Sequence, residues 1–138
     1  MIFVKRVYDE SEESDGPRYL VDQLWPRGMK KEEAHLEEWI KSVSPSTQLC
    51  TWFSHDPEKW GEFQARYYAE LDQKPASWEP LVKAAREGDL TLLYSAKDTE
   101  HNNAVALRMY LIGRIKERNT RRRSPTVRSV EPRARKAA

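Results

Sequence analysis

Apolar and polar residues alternate in blocks along the 138-residue chain, and each block predicts an element. Ile2-Phe3-Val4-Lys5-Arg6-Val7-Tyr8 is rich in β-branched and aromatic residues and predicts a strand. Asp9 to Pro17 carries no large apolar side chain and contains Asp15-Gly16-Pro17, so an exposed loop is expected there. Tyr19-Leu20-Val21-Asp22 predicts a second strand, ended by Trp25-Pro26-Arg27-Gly28 because proline lacks a ladder donor. Leu36, Trp39, Ile40 and Val43 then fall at i, i+3, i+4, i+7, the stripe of an amphipathic helix, closed by Pro45.

Asp56-Pro57 is a helix start, with a capping carboxylate and a proline preset for the first turn, and Trp60, Phe63, Tyr67 and Leu71 share the face that follows. A short third helix is expected with Ser77 as cap, Trp78, Leu81, Val82 and Ala85 as its stripe, and Gly88 after it. Asp89-Leu90-Thr91-Leu92-Leu93-Tyr94-Ser95 is a continuous apolar run between turn residues, the pattern of a central strand. From about His101 a last helix turns Ala104, Leu107, Leu111 and Ile115 inward. After Arg118 it fades into arginine-rich sequence with a proline.

The long helical crossover between the second and third strands argues that those two are parallel. The expected fold class is therefore α/β: a small, three-layer-like domain over residues 1–118, with a short, at least partly parallel sheet of about three strands packed by about four helices. The direction of the first strand is open, since its polar link allows either a loose antiparallel hairpin or a crossover.

Composition narrows the function classes. Five Trp, six Tyr and three Phe supply a core, no run is long and apolar enough to span a membrane, and the N-terminal residues turn acidic where a signal peptide turns apolar, so a cytoplasmic protein without membrane contact is expected. Cys50 is the single cysteine, which excludes an internal disulfide, and it reads as a buried, inert thiol. His35, His55 and His101 lack metal-ligand spacing, and no phosphate loop, nucleophile elbow or Cys-x-x-Cys is present, so neither metal nor cofactor is expected. Oligomeric state is open.

Charge is uneven. Residues 117–138 hold eight basic and two acidic side chains, a balance of +6, whereas residues 1–116 hold 16 basic and 20 acidic, a balance of −4. The segment 119–138 is expected to be a disordered basic tail with nonspecific affinity for nucleic acid. Trp52, Phe53, His55 and Trp60 form an aromatic segment that reads as core packing or, alternatively, as a wall on which a base stacks.

In open α/β sheets ligands bind beyond the carboxyl ends of the strands. The second strand leads into Asp22, Gln23, Trp25 and Arg27, the third into Ser95, Lys97 and Asp98 ahead of His101 and Asn102. If the strands are neighbours, both turns border one cleft. Arg27 and Lys97 would hold a phosphate or carboxylate there, with Asp22, Asp98 and His101 as candidate acids or bases. On the simpler reading Asp98 caps the last helix, Asp22 pairs with Arg27 and His101 is solvated.

Lys5 to Asp9, Leu20 to Gly28, Trp52 to Trp60 and Leu92 to Asp98 with His101-Asn102 together resemble the YeaO-like proteins of the domain of unknown function 488 group, in order from about Ile2 to Leu111. The resemblance implies a compact α/β domain and no established activity, so an enzyme remains one option beside a nucleic-acid-binding module and a non-catalytic interaction protein. Its motif positions are Lys5, Arg6, Asp22, Trp25, Arg27, His55, Asp56, Lys97, Asp98, His101 and Asn102, of which Lys5, Arg6, Trp25, Arg27, Lys97 and Asn102 are candidate ligand-binding residues. Gln23 stands where the family usually has Arg and Asn103 where it usually has a second His, removing a cation and an imidazole from the expected cleft.

Overall fold

The computed structural model describes the backbone of residues 1–128 and the side chains of residues 1–117. Its centre is a four-stranded, wholly parallel sheet in the order β1-β4-β2-β3, with β1 at Ile2–Arg6, β2 at Arg18–Leu20, β3 at Glu38–Trp39 and β4 at Leu90–Tyr94. Strand β4 is buried along its length, as its unbroken apolar run requires. It pairs on one side with β1, Ile2 to Arg6 against Leu90 to Tyr94, and on the other with β2, Leu20 against Leu93. The open question about the first strand closes here: β1 runs parallel to β4 and is separated from β2 by it.

Side chains of β4 alternate between two apolar clusters. Leu90, Leu92 and Tyr94 join the larger one with Phe53, Phe63, Tyr67, Leu81 and Leu107, while Leu93 joins Val7, Leu20 and Ala34 on the opposite face. The larger cluster is covered by helices α2 (Thr47–Phe53), α3 (Trp60–Asp72), α4 (Pro75–Glu87) and α5 (Asn103–Arg128). The smaller is closed by the one-turn helix α1 (Lys31–Ala34) with Trp25, Met29, Leu36 and Trp39.

That division overturns the helix expected over Leu36 to Val43. The chain leaves α1 through His35 in a left-handed conformation (φ 51°), runs as β3, and makes a 3-10 turn at Lys41–Val43. Leu36 and Trp39 belong to one cluster, Ile40 and Val43 to the other, so the four residues never share a face. An extended strand serves both clusters and lets Glu37 N and Ile40 N donate to the Arg18 and Leu20 carbonyls at 2.7 and 2.9 Å.

Other boundaries also move. Helix α2 is additional, capped by Ser46, whose Oγ accepts from Leu49 N. Helix α4 begins at Pro75, which suits the first turn because its missing N–H is an orphan there, so Ser77 is not the cap. Asp56 caps as expected, accepting from Glu58 N at 3.0 Å. The segment Asp9 to Pro17 is not simply solvated: it folds around the buried Asp15, which binds Lys5 and Arg18. Helix α5 continues past Arg118 to Arg128 rather than fading, and the rest of the expected tail, with Arg133, Arg135 and Lys136, lies outside the described residues. No helix among the described residues is long and apolar enough to cross a membrane.

Candidate functional site

Because β2 and β4 are parallel neighbours, their carboxyl ends open on the same rim of the sheet. Trp25-Pro26-Arg27 and Ala96-Lys97-Asp98 both line a single cleft of about 800 Å³ on that rim. The end of β1 ties the two turns together. Arg6 donates from Nε to the Ala96 carbonyl at 2.9 Å and from its guanidinium to the Ser95 carbonyl at 3.1 Å. The same guanidinium lies 4.9 Å from the Tyr8 ring centroid, and the Tyr8 hydroxyl donates to the Arg27 carbonyl at 2.8 Å. Arg6 therefore positions backbone and does not face the cleft as a ligand cation.

Asp22 sits at the inner end. Its Oδ2 accepts from Ser95 N and Ser95 Oγ at 2.9 and 2.7 Å, and its Oδ1 accepts from Asn103 Nδ2 at 3.1 Å. Burial pushes the carboxyl above its usual value, against the pull of the Ser95 and Asn103 hydrogen bonds and of His55. Asp22 thus joins β2 to β4 and α5, and it makes no pair with Arg27. At the mouth, Arg27 and Lys97 are both exposed, and among the described residues neither side chain has a hydrogen-bond or ion-pair partner. Trp25 forms one wall, held by its indole N–H on the Met29 carbonyl at 2.7 Å and by edge contact with Trp39.

The remaining candidates all have protein partners, and of them Asp98 and Asn102 also line the cleft. Lys5 reaches Asp15 at 3.1 Å and is not part of the cleft lining. Asp98 Oδ1 accepts from the Glu100 and His101 amides while Oδ2 meets His101 Nδ1 at 3.0 Å; those amide bonds first, and His101 after them, hold its carboxyl below the usual range. His101 itself stacks edge-on against Trp60 and does not line the cleft. Asn102 is buried, its Oδ1 capping α5 at Val105 N and its Nδ2 donating to the Asp98 carbonyl. The aromatic segment is internal packing: Phe53 and Trp60 stack on Phe63, and Lys59 and Arg66 lie over Trp52.

His55 and Asn103, which the family resemblance marks without assigning a catalytic or ligand-binding role, line the cleft, and so does Cys50. His55 arrives through two successive left-handed residues, Ser54 (φ 47°) and His55 (φ 57°), a reversal between α2 and the Asp56-Pro57 start that the family motif marks without explaining. Cys50 is exposed in the cleft instead of buried, because α2 presents it opposite Leu49; partial burial still pushes its thiol pKa up, so it stays protonated near neutrality. Asn103, at the start of α5, donates to the Val21 carbonyl at 2.9 Å as well as to Asp22. Gln23, the other departure from the family pattern, donates to Thr47 Oγ1 at 2.8 Å. Among the described residues no group of three or more His, Cys, Asp or Glu could hold a metal ion.

A family model described as the inactive DUF488-N3 subclade, DUF488-N3i, matches residues 1–128. The chain is 47% identical over 107 residues to Uncharacterized protein YeaO of Escherichia coli (strain K12), covering 78% of this chain and 93% of YeaO. It is 36% identical over 111 residues to Uncharacterized protein Rv3073c of Mycobacterium tuberculosis (strain H37Rv), covering 80% of this chain and 93% of that protein. No solved structure matches. With a family model spanning the sheet, all five helices and the cleft, and a relative identical at nearly half of the aligned residues, the chain belongs to the YeaO-like DUF488 family.

Proposed function

We propose that the protein binds a small anionic ligand at the cleft between the β2 and β4 turns and does not turn it over. The observation that carries this reading is the pair of exposed, unpartnered cations, Arg27 and Lys97, at the mouth of a concave site whose walls are aromatic and apolar. Guanidinium and ammonium suit a phosphate or carboxylate, and Trp25, Phe53 and Phe63 offer apolar surface to the body of the ligand. The volume is that of a small-molecule site.

Two features support binding without chemistry. Asp22 and Asp98 accept hydrogen bonds from protein donors, and His101 turns Nδ1 to Asp98. The matching family model is itself described as inactive. Titration calorimetry of the full chain with inorganic phosphate, ribose 5-phosphate and nucleoside monophosphates tests the reading. Arg27→Ala and Lys97→Ala are each expected to weaken the best ligand about tenfold or more, the worth of a hydrogen bond to a charged group. Identical heats from all three proteins reject the site, and phosphorus NMR showing turnover of a bound phosphate rejects the absence of chemistry.

A further inference from the structure

The inner end of the cleft has a polarity opposite to its mouth. Asn103 Nδ2 faces two oxygens, the Val21 carbonyl at 2.9 Å and Asp22 Oδ1 at 3.1 Å. A carbonyl only accepts, so this contact fixes the carboxamide with its nitrogen toward the protein and leaves Oδ1 as an acceptor without a partner among the described residues. Beside it, the Ser95 hydroxyl donates its one hydrogen bond to Asp22 Oδ2 and keeps only lone pairs to offer. Asp22 is an acceptor as well. Donors and positive charge therefore stand at the rim, at Arg27 and Lys97, and acceptors at the floor.

We infer that Asn103 is a specificity-determining residue, selecting a ligand whose inner end donates hydrogen bonds: an amino-bearing heterocycle joined to a phosphate. This rests on the reading of the mouth as an anion site. A phosphate alone leaves the Asn103 and Ser95 acceptors unpaired, and a ring presenting a carbonyl to them sets acceptor against acceptor, which costs more than an absent contact. An amine in the same place satisfies them, with the half-buried Trp25 beside it in the same cleft lining to flank the ring.

Calorimetry on the full chain with adenosine against inosine monophosphate, and cytidine against uridine monophosphate, isolates this polarity, because the phosphate is common to each pair. At least one amino-bearing member is expected to bind about tenfold more tightly than its counterpart. Asn103→Leu is expected to erase that ratio while leaving inorganic phosphate affinity unchanged; the wild-type comparison stands even if this variant unfolds. Equal affinity within both pairs, at the level of ribose 5-phosphate, overturns the inference and leaves the anion site intact. Failure of every phosphate to bind overturns both.

Discussion

Replacing Asp15 is expected to be among the most damaging single changes outside the apolar core. Its carboxylate is 4% exposed and accepts from Arg18 Nη1 at 2.6 Å, Glu12 N at 3.1 Å and Lys5 Nζ at 3.1 and 3.2 Å. Arg18 is equally buried, at 4%, and without Asp15 keeps only its two bonds to the Ala34 carbonyl. Asp15→Ala leaves that guanidinium uncompensated, a loss of about 3–5 kcal/mol. For a chain of this size the melting temperature falls by roughly 10–20 °C. Lys5 is less affected, since its ammonium is partly solvated and still meets Glu12. Asp15→Asn keeps shape and one acceptor and is expected to fall between Asp15→Ala and the wild type. Burial pushes the Asp15 carboxyl up, but the Glu12 amide, Arg18 and Lys5 together outweigh it and hold the folded value below the ordinary 3.8. Its stabilisation is therefore complete above about pH 4 and is withdrawn as pH falls through the folded value, so the gap between wild type and Asp15→Asn stays constant from pH 5 to 8 and narrows in acid. Urea unfolding across that range measures both. A loss under about 1 kcal/mol for Asp15→Ala at pH 7, or a gap that widens in acid, refutes the assignment of a charge-bearing anchor.

The two left-handed glycines are expected to respond differently to alanine. At Gly16 (φ +64°) a Cβ would stand 2.3 Å from the Asp89 carbonyl oxygen, so Gly16→Ala is expected to cost about 3 kcal/mol or more in urea unfolding, against about 1–2 kcal/mol for Gly28→Ala, where φ is +77° and nothing lies within 4 Å. Asp56→Ala removes the acceptor for Glu58 N and is expected to cost about 1 kcal/mol, read as a shift in the urea midpoint at unchanged slope. Cys50 should react with a maleimide in the native protein, since it is exposed, but slowly at pH 7, with the rate still climbing above pH 9 because its thiol lies above the ordinary value of 9.0.

Helical spacing is a sound guide where its apolar residues serve one cluster and misleads where they divide between two. Trp60, Phe63, Tyr67 and Leu71 pack into one cluster, and their helical spacing says so; Leu36, Trp39, Ile40 and Val43 have the same spacing but divide between clusters on opposite faces of the sheet. The continuous run Leu90 to Tyr94 announces a central strand because both its faces are covered. At the site, the turns after β2 and β4 follow from the parallel-strand rule, since two neighbouring parallel strands must release their chains on one rim. His55 and Cys50 reach that rim only through α2 and the left-handed pair after it, long-range consequences of packing that no local pattern records. Lys5 reads as a cleft cation until its partner is known, and that partner, Asp15, sits in a stretch with every mark of a solvated loop.

Several of the polar positions that carry the family resemblance hold the cleft together through bonds to the protein, some of them while also lining it. Arg6 clamps the Ser95 and Ala96 carbonyls, Asp22 welds β2 to β4 and α5, Asp56 and Asp98 cap turns, and Asn102 caps α5. A reaction at such a site needs a group that can exchange a proton with the ligand and a second group that orients the first. Asp22 accepts from three protein donors, Asp98 is tied to its own turn, His101 is packed on Trp60 away from the cleft, the Cys50 thiol is held protonated, and His55, which lines the cleft, packs against the Phe53 ring. Asn103, on the floor, does not titrate at all. The cleft also carries a contrast of polarity, cations at Arg27 and Lys97 outside and acceptors at Asn103 and Ser95 inside, and the proposed recognition of a ligand by its two ends rests on that contrast.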